Sequence, residues 1–160
     1  MATNLQVCLN PPSLEAPSSF SPPVAVPIHL AVLNHAETPT TFLTWNTPLD
    51  PRANILGVFE IRDADADQVL VLDTVKFARN LPPPREDFVT IPPGGKVDAD
   101  VTLPRVPLVQ GRQYTIQAKG WWQAVWEKGV EDIPQDELNS LSGDLNRGLF
   151  ESEAVPIHGT

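Results

Sequence analysis

Residues that commonly carry enzyme chemistry are few in this sequence, and their spacing does not assemble a catalytic group. The histidines are His29, His35 and His158, and the first two stand six residues apart, so they need not meet in the fold. The single cysteine, Cys8, stands in a proline-rich segment with no histidine beside it. No Gly-x-Ser-x-Gly turn is present to expose a nucleophilic serine. The sequence therefore predicts no catalytic residue and no cofactor.

Alternating aspartates at Asp63, Asp65 and Asp67 imitate the beginning of a calcium-binding loop. That loop requires glycine at its sixth position and an acidic residue at its twelfth, where this sequence has Gln68 and Thr74. A zinc site built from several thiolates is excluded because there is only one cysteine. We interpret the aspartates as a solvated turn and predict no metal site.

A cluster of tryptophans is the strongest candidate for a binding site. Trp121, Trp122 and Trp126 fall within six residues, just before an acidic segment. Large aromatic side chains with a polar tip are common anchors of interfaces and ligand pockets. The alternative is that these indoles close the open end of the fold and pack beneath a helix. The sequence is consistent with a binding role and with a packing role for the three indoles.

Two arginines define a second candidate. Arg79 and Arg85 bracket the sequence Leu81-Pro-Pro-Pro, which is stiff because proline fixes the backbone angle φ. A rigid exposed loop can insert into the cleft of a partner without a large ordering cost. The alternative is a solvated loop with no partner.

The overall charge disfavours two classes of partner. The chain of 160 residues carries a formal net charge of −9 at pH 7 and has a pI near 4.6. Nucleic acids and anionic membranes are bound through clusters of Lys and Arg, which this sequence lacks. No apolar run reaches the ~18 residues of a membrane span. We therefore expect neither nucleic acid nor a membrane as a partner.

The N-terminal sequence gives an expectation for the cellular location. Met-Ala-Thr-Asn-Leu-Gln lacks the basic start and the apolar stretch of a signal peptide. One cysteine cannot form an intramolecular disulfide. These features predict a cytoplasmic protein, and a secreted chain whose signal has been removed is the alternative.

Prolines and short alternating runs set the fold class. Eighteen prolines disfavour long helices, and residues 1–23 are predicted to form an extended proline-rich leader before a single domain at 24–160. A proline in the first turn and Gly143 at the end predict one short helix over 132–143. Alternating apolar residues predict strands at 24–33, 40–45, 58–62, 69–72, 87–91, 96–103, 113–118 and 153–158, with a further short piece at 75–79.

Two local motifs predict corners between these strands. Residues 41–45 place odd-numbered side chains on one face and even-numbered ones on the other, and Pro48 and Pro51 then force the chain out of the sheet. Leu108, Gly111 and Tyr114 have the spacing of a tyrosine corner, whose hydroxyl bonds to backbone near Leu108. An all-β, immunoglobulin-like antiparallel β-sandwich of seven to eight strands with one short helix near the C-terminus is therefore predicted.

Several of these segments also resemble a known family. They are Leu43-Thr-Trp-Asn-Thr-Pro-Leu-Asp, Phe59-Glu-Ile, Pro82-Pro-Pro, Asp87-Phe-Val-Thr-Ile-Pro-Pro-Gly-Gly-Lys-Val, Gly111-Arg-Gln-Tyr-Thr-Ile and Glu151-Ser-Glu-Ala-Val. Together they resemble the pro-region of deuterolysin-type fungal zinc endopeptidases, over roughly residues 24–157 and with an insertion at 121–150. The resemblance implies an immunoglobulin-like sandwich that assists or restrains a protease. The histidine pair that holds zinc in the protease is absent from this sequence, so no catalytic residue carries over.

Two functional hypotheses follow. The first is a non-enzymatic interaction module that binds a protease or another protein, as inhibitor or folding assistant. The second is a protein that binds a small apolar ligand, or a cofactor-free isomerase or cyclase, with a pocket under residues 121–126 and the insertion as a lid. Arg79 and Arg85 belong to the first hypothesis and the tryptophans to both.

Overall fold

The computed structural model describes residues 4–14, 24–72, 74–76, 78–109, 111–143 and 145–157, and these form two antiparallel sheets. One helix, α1 (Gln135–Ser140), and 3-10 turns at Arg85–Asp87 and Val130–Asp132 accompany them. The predicted all-β antiparallel architecture with one short helix near the C-terminus is confirmed. The strands are β1 (Leu5–Leu9), β2 (Val24–Asn34), β3 (Thr40–Leu43), β4 (Phe59–Asp63), β5 (Gln68–Val69), β6 (Phe88–Ile91), β7 (Lys96–Val106), β8 (Tyr114–Trp126), β9 (Asn146–Glu151) and β10 (Val155–Pro156).

The smaller sheet has the strand order β1-β2-β7. Strand β2 is its centre, and alternate side chains from Val26 to Val32 are buried because they face the other sheet. The intervening side chains of β2 are exposed or half-buried. This alternation is the period of a strand packed on one face.

Strand β1 corrects the predicted N-terminal leader. Leu5, Val7 and Leu9 are buried in the main core, and β1 pairs along its whole length with β2, with Val7 opposite Val32. The prediction that residues 1–23 lie outside the domain is therefore wrong for Leu5–Leu9. Residues 15–23 lie outside the described part of the chain.

The larger sheet is organised around β8, whose thirteen residues exceed the length of any neighbour. Its first half lies between β4 and β10, with Ile116 opposite both Ile61 and Val155. Its second half pairs with β9 and β3, with Val125 opposite both Phe42 and Asn146. Strands β6 and β5 extend the sheet beyond β3 and β4.

Both predicted corners are present. The backbone N–H of Val109 donates to the Tyr114 hydroxyl at 2.9 Å, which is the bond expected of a tyrosine corner. In β3, Phe42 packs in the main core and Leu43 in a second cluster on the opposite face, as the alternation predicts. The short strand expected at 75–79 is not formed by the described residues there, and the run at 69–72 contributes only the end of β5.

The segment treated as an insertion, residues 121–150, is largely part of the larger sheet. It contains the end of β8, helix α1 and nearly all of β9. Only the connection that carries α1 leaves the sheet. No helix of the described residues has the length and apolar character needed to cross a membrane.

Candidate binding site

Strand β8 positions all three candidate tryptophans, and an irregularity in its pairing divides it into two halves. Between Trp122 and Val125 the register with β9 shifts, as at a β-bulge. Before the shift Trp122 faces the main core. After it Val125 faces the main core and Trp126 faces the second cluster. The end of β8 is therefore packed on both faces.

The second cluster lies on the face of the larger sheet opposite the main core, beneath helix α1. Trp126 contacts Phe88 edge to face, with ring centroids 5.9 Å apart. Because this cluster covers the face of β3 that the main core leaves free, all four residues of β3 are buried. Its buried members are Leu43, Trp45, Ala124, Trp126, Ile133 and Leu138.

Trp122 and Trp126 are fully buried, each with 0% of its surface exposed. Trp122 packs between Phe42 and Phe150, with ring centroids 5.0 Å and 4.9 Å away. The indole Nε1 of each tryptophan has no hydrogen-bond partner among the described residues. The two indoles fill the cores, Trp126 beneath helix α1 and Trp122 within the main core, and they offer no surface to a partner in this conformation.

Trp121 differs from its neighbours because its side chain points out of the sheet. It is 55% exposed, and Leu149, directly opposite on β9, is 79% exposed. One step along the same face, Lys119 stands opposite Glu151 and is exposed like it. We name Trp121 and Leu149 the Trp121–Leu149 patch. It is an apolar cross-strand pair with charged neighbours.

A surface cavity of about 380 Å³ adjoins Trp121 on the side away from Leu149, and we name it the Trp121 cavity. Val58 contributes apolar lining from the segment before β4. The side chains of Asn46 and Gln123 form no hydrogen bond with the described residues. The polar lining residues are Asn46, Lys76, Lys119 and Gln123.

The side chain of Arg79 is engaged within the domain. Its guanidinium donates to Asp50 Oδ2 at 2.8 Å and lies 5.4 Å from the centre of the Trp45 ring. The Asp50 side chain is only 1% exposed and also accepts from the backbone N–H groups of Asn46 and Arg52. Arg79 thus stabilises the corner that follows β3. Because Arg79 is engaged there and Arg85 is exposed, the two candidate arginines do not form one site.

Arg85 lies in the exposed loop that the sequence predicts. Leu81 in the same loop is 52% exposed, whereas Pro83 is buried. The loop ends in the 3-10 turn Arg85–Asp87 just before β6, and Asp87 Oδ2 accepts from Trp45 Nε1 at 2.8 Å. A partner would therefore find Arg85 and Leu81 accessible, and a binding role for Arg85 stays a prediction.

The aspartate turn after β4 is held by its own backbone. Asp63 Oδ1 accepts from the N–H groups of Asp65 and Ala66 at 2.9 Å and 3.0 Å. The hydrogen bond from Ala66 is the main cause that lowers the pKa of Asp63, and the Arg112 guanidinium lowers it further. Among the described residues no group of three or more His, Cys, Asp or Glu side chains is arranged to hold a metal ion.

Sequence reasoning missed most of the residues around Trp121. Leu149 was not found because β9 was not predicted, and its position opposite Trp121 is set by the register of β8 with β9. Asn46, Lys76 and Lys119 come from three segments far apart in the sequence. No local pattern brings such residues together before the strand pairing is known.

Comparisons with known proteins identify what this chain is similar to. A family model described as an immunoglobulin-like domain matches residues 13–158. An uncharacterized secreted protein of Arthroderma benhamiae is 44% identical over 126 residues, which are 77% of this chain and 63% of that protein. The chain therefore spans less than two thirds of that relative's length. The relative comes from a fungus, as do the endopeptidases whose pro-region this sequence resembles.

The same relative corrects the predicted location. Its name describes a secreted protein, which contradicts the prediction of a cytoplasmic one. Among solved structures, the yjhA protein from Bacillus subtilis aligns with 96% of this chain and 94% of its own, at 13% identity and a TM-score of 0.35. That score is too low to establish a shared fold.

Proposed function

The chain belongs to the immunoglobulin-like domain family, and we propose that it is a non-enzymatic interaction domain that binds another protein outside the cell. The secreted location is proposed from the name of the Arthroderma benhamiae relative. With one cysteine the chain has no intramolecular disulfide, and both cores described above contribute to its stability.

The observation that carries this proposal is the Trp121–Leu149 patch. Trp121 and Leu149 together expose a large apolar side-chain pair at the centre of the outer face of β8 and β9. Interfaces are typically organised as an apolar centre with a charged rim, and Trp is enriched among the residues that dominate binding energy. Lys119, Glu151 and Arg147 supply such a rim.

The partner class is proposed from the resemblance in sequence. Segments around Trp45, Pro82 and Tyr114 resemble the pro-region of deuterolysin-type endopeptidases, so a zinc endopeptidase of that type is the first partner to test. The exposed loop with Leu81 and Arg85 is a second contact for the same partner.

The test measures binding and inhibition with a purified deuterolysin-type endopeptidase. We expect a stoichiometric complex by calorimetry, and we expect Trp121→Ala and Leu149→Ala each to raise the Kd by about tenfold or more. Val109→Ala is the matched control, because Val109 is 52% exposed but lies outside the patch. Equal affinities of all three variants and the parent chain would remove the patch from the proposal.

A second candidate function is the binding of a small molecule in the Trp121 cavity. Its volume of about 380 Å³ lies within the range of ~300–1,000 Å³ that is typical of ligand sites. The pocket is beside Trp121 on the outer face, whereas the sequence analysis expected it under all three tryptophans. Trp122 and Trp126 are packed in the cores and do not line it.

A further inference from the structure

We infer that the Trp121 cavity binds a small cyclic carboxylate, a ring compound whose flat face lies on the Trp121 indole and whose carboxylate is held by Lys76 and Lys119. This inference rests on the second candidate function above and names its ligand class. A sugar acid and an aromatic acid both have this chemistry, and the experiment below distinguishes them.

The charges around the cavity favour an anion. The chain has a net charge of −9 and only four lysines, yet two of these, Lys76 and Lys119, line this one cavity. No Asp or Glu is among the described lining residues. A local positive site on an acidic protein attracts anions that the remaining surface repels.

The two ammonium groups are available to a ligand. Lys76 is exposed and has no ion-pair partner among the described residues. Lys119 is 47% exposed and its nearest carboxylate oxygen, Glu60 Oε1, is 3.8 Å from Nζ, which is longer than a good hydrogen bond. A ligand carboxylate therefore competes with at most one weak, solvated ion pair.

The amides of the cavity select a ligand with polar groups beyond its carboxylate. Asn46 has a left-handed backbone with φ of 57°, and its N–H is fixed by Asp50 Oδ2 at 2.9 Å. Its side-chain amide and that of Gln123 form no hydrogen bond with the described residues. Each amide both donates and accepts, so the pair suits hydroxyl groups. Because the Asn46 backbone is already ordered, little further ordering is required on binding.

The indole of Trp121 provides the apolar surface. It lines the cavity and is the exposed tryptophan of the chain, since Trp45, Trp122 and Trp126 are each at most 6% exposed. A pyranose or aromatic ring can stack on such a face, and the polar tip of the indole stays solvated. Tryptophan fluorescence therefore reports on this site through Trp121, while the three buried indoles contribute a background signal.

The experiment titrates the full chain with two matched pairs of compounds, galacturonate against galactose and benzoate against benzyl alcohol. We expect a saturable fluorescence change with the acid of at least one pair. The neutral counterpart of that acid should bind at least about tenfold more weakly. Stronger binding of galacturonate identifies a sugar acid as the source, and stronger binding of benzoate identifies an aromatic acid. Equal binding within both pairs, or no binding of either acid, overturns the inference.

Variants assign the effect to the cavity. Lys76→Met and Lys119→Met should each weaken binding of the acid by about tenfold, and Lys96→Met is the control because Lys96 lies on β7 and pairs with Asp98. An unchanged near-ultraviolet circular dichroism spectrum verifies that each variant is folded. Acid binding that survives both cavity variants overturns the inference.

Different variants test the protein-binding role and the carboxylate-binding role. Leu149→Ala removes an exposed side chain that does not line the cavity, so it should weaken the protein complex and leave acid binding unchanged. Lys76→Met should do the reverse, because Lys76 lines the cavity and lies outside the Trp121–Leu149 patch. Loss of protein binding is therefore distinguishable from loss of carboxylate binding.

Discussion

Asp50 and Arg79 form one structural unit, because the carboxylate is buried and the guanidinium is its charged partner. The Asp50 side chain is 1% exposed and that of Arg79 is 19% exposed. Removing one member of such a pair leaves a buried charge without compensation, although Asp50 keeps two backbone N–H donors here. Arg79 therefore contributes to the structure of this corner, and the binding role predicted for it stays a prediction.

We predict that Arg79→Gln lowers the free energy of unfolding by about 2 kcal/mol, measured by urea denaturation. Arg85→Gln is the matched control and should change stability by less than about 0.5 kcal/mol, because Arg85 is exposed. If both variants are equally stable, the ion pair with Asp50 does not contribute to the corner after β3.

Asp63 makes the stability of the domain depend on pH. Its folded-state pKa is lowered from the ordinary value of 3.8, first by the Ala66 N–H and then by Arg112. The contribution of this carboxylate to stability is therefore present above 3.8 and is lost as the pH falls through the lower, folded-state pKa.

We predict that Asp63→Asn reduces the loss of stability between pH 6 and pH 2, about the range over which a carboxylate of this kind titrates. Asparagine still accepts the two turn hydrogen bonds but carries no charge. Urea denaturation at successive pH values measures the effect. Asp67→Asn is the control, because the Asp67 side chain is 87% exposed. Parallel pH profiles for Asp63→Asn and the parent chain would contradict the prediction.

At the scale of elements, the register shift in β8 and helix α1 together build the second cluster. The shift between Trp122 and Val125 turns Trp126 away from the main core, and α1 provides Leu138 to cover it. Without the helix, the second cluster would expose a large apolar face to water. The connection between β8 and β9 is therefore part of the folded core.

We predict that Leu138→Ala lowers the free energy of unfolding by about 3 kcal/mol, since Leu138 is 2% exposed and its removal leaves a cavity. The measurement is urea denaturation followed by circular dichroism. Leu149→Ala, which removes a side chain that is 79% exposed, should cost less than about 0.5 kcal/mol. A small effect at Leu138 would mean that α1 is only loosely attached to the sheet.

The elements differ in how far the sequence predicts them. The Tyr114 corner and the two-faced alternation of β3 are predicted because each is a local pattern of residue types. Strand β9 escapes prediction because two of its residues break the expected pattern, with Gly148 buried and Leu149 exposed. Gly148 is small enough to be buried without an apolar side chain. Packing within the domain does not explain why Leu149 is exposed.

Candidate sites are less predictable than strands because they depend on pairing. Trp121 and Trp122 are adjacent and identical in type, and only the register of β8 with β9 decides which is exposed. The partner of Arg79 is 29 residues away, and no local signal points to Asp50. Composition identified a tryptophan cluster but could not separate its core members from its surface member.

At the scale of the whole molecule, β1 ties the N-terminal segment to the sandwich. It pairs with β2 from Leu5 to Leu9, and its alternation of Leu5, Val7 and Leu9 with polar or small residues was present in the sequence. Without β1, the edge of β2 and part of the main core would be exposed. An unpaired edge of this kind promotes aggregation.

We predict that a chain beginning at Asn10 is severely destabilised compared with the full chain. Burial of an aliphatic side chain contributes about 1.5–3 kcal/mol, and Leu5, Val7 and Leu9 are each no more than 8% exposed, so the loss approaches the total stability of a small domain. Thermal unfolding and light scattering measure the effect. Gln6→Ala in the full chain is the control, because Gln6 is exposed and its side chain makes only a surface hydrogen bond to His35, so the Tm should be nearly unchanged. A truncated chain that unfolds at the same temperature as the full chain, and stays monomeric, would show that β1 is dispensable and that the domain begins at β2.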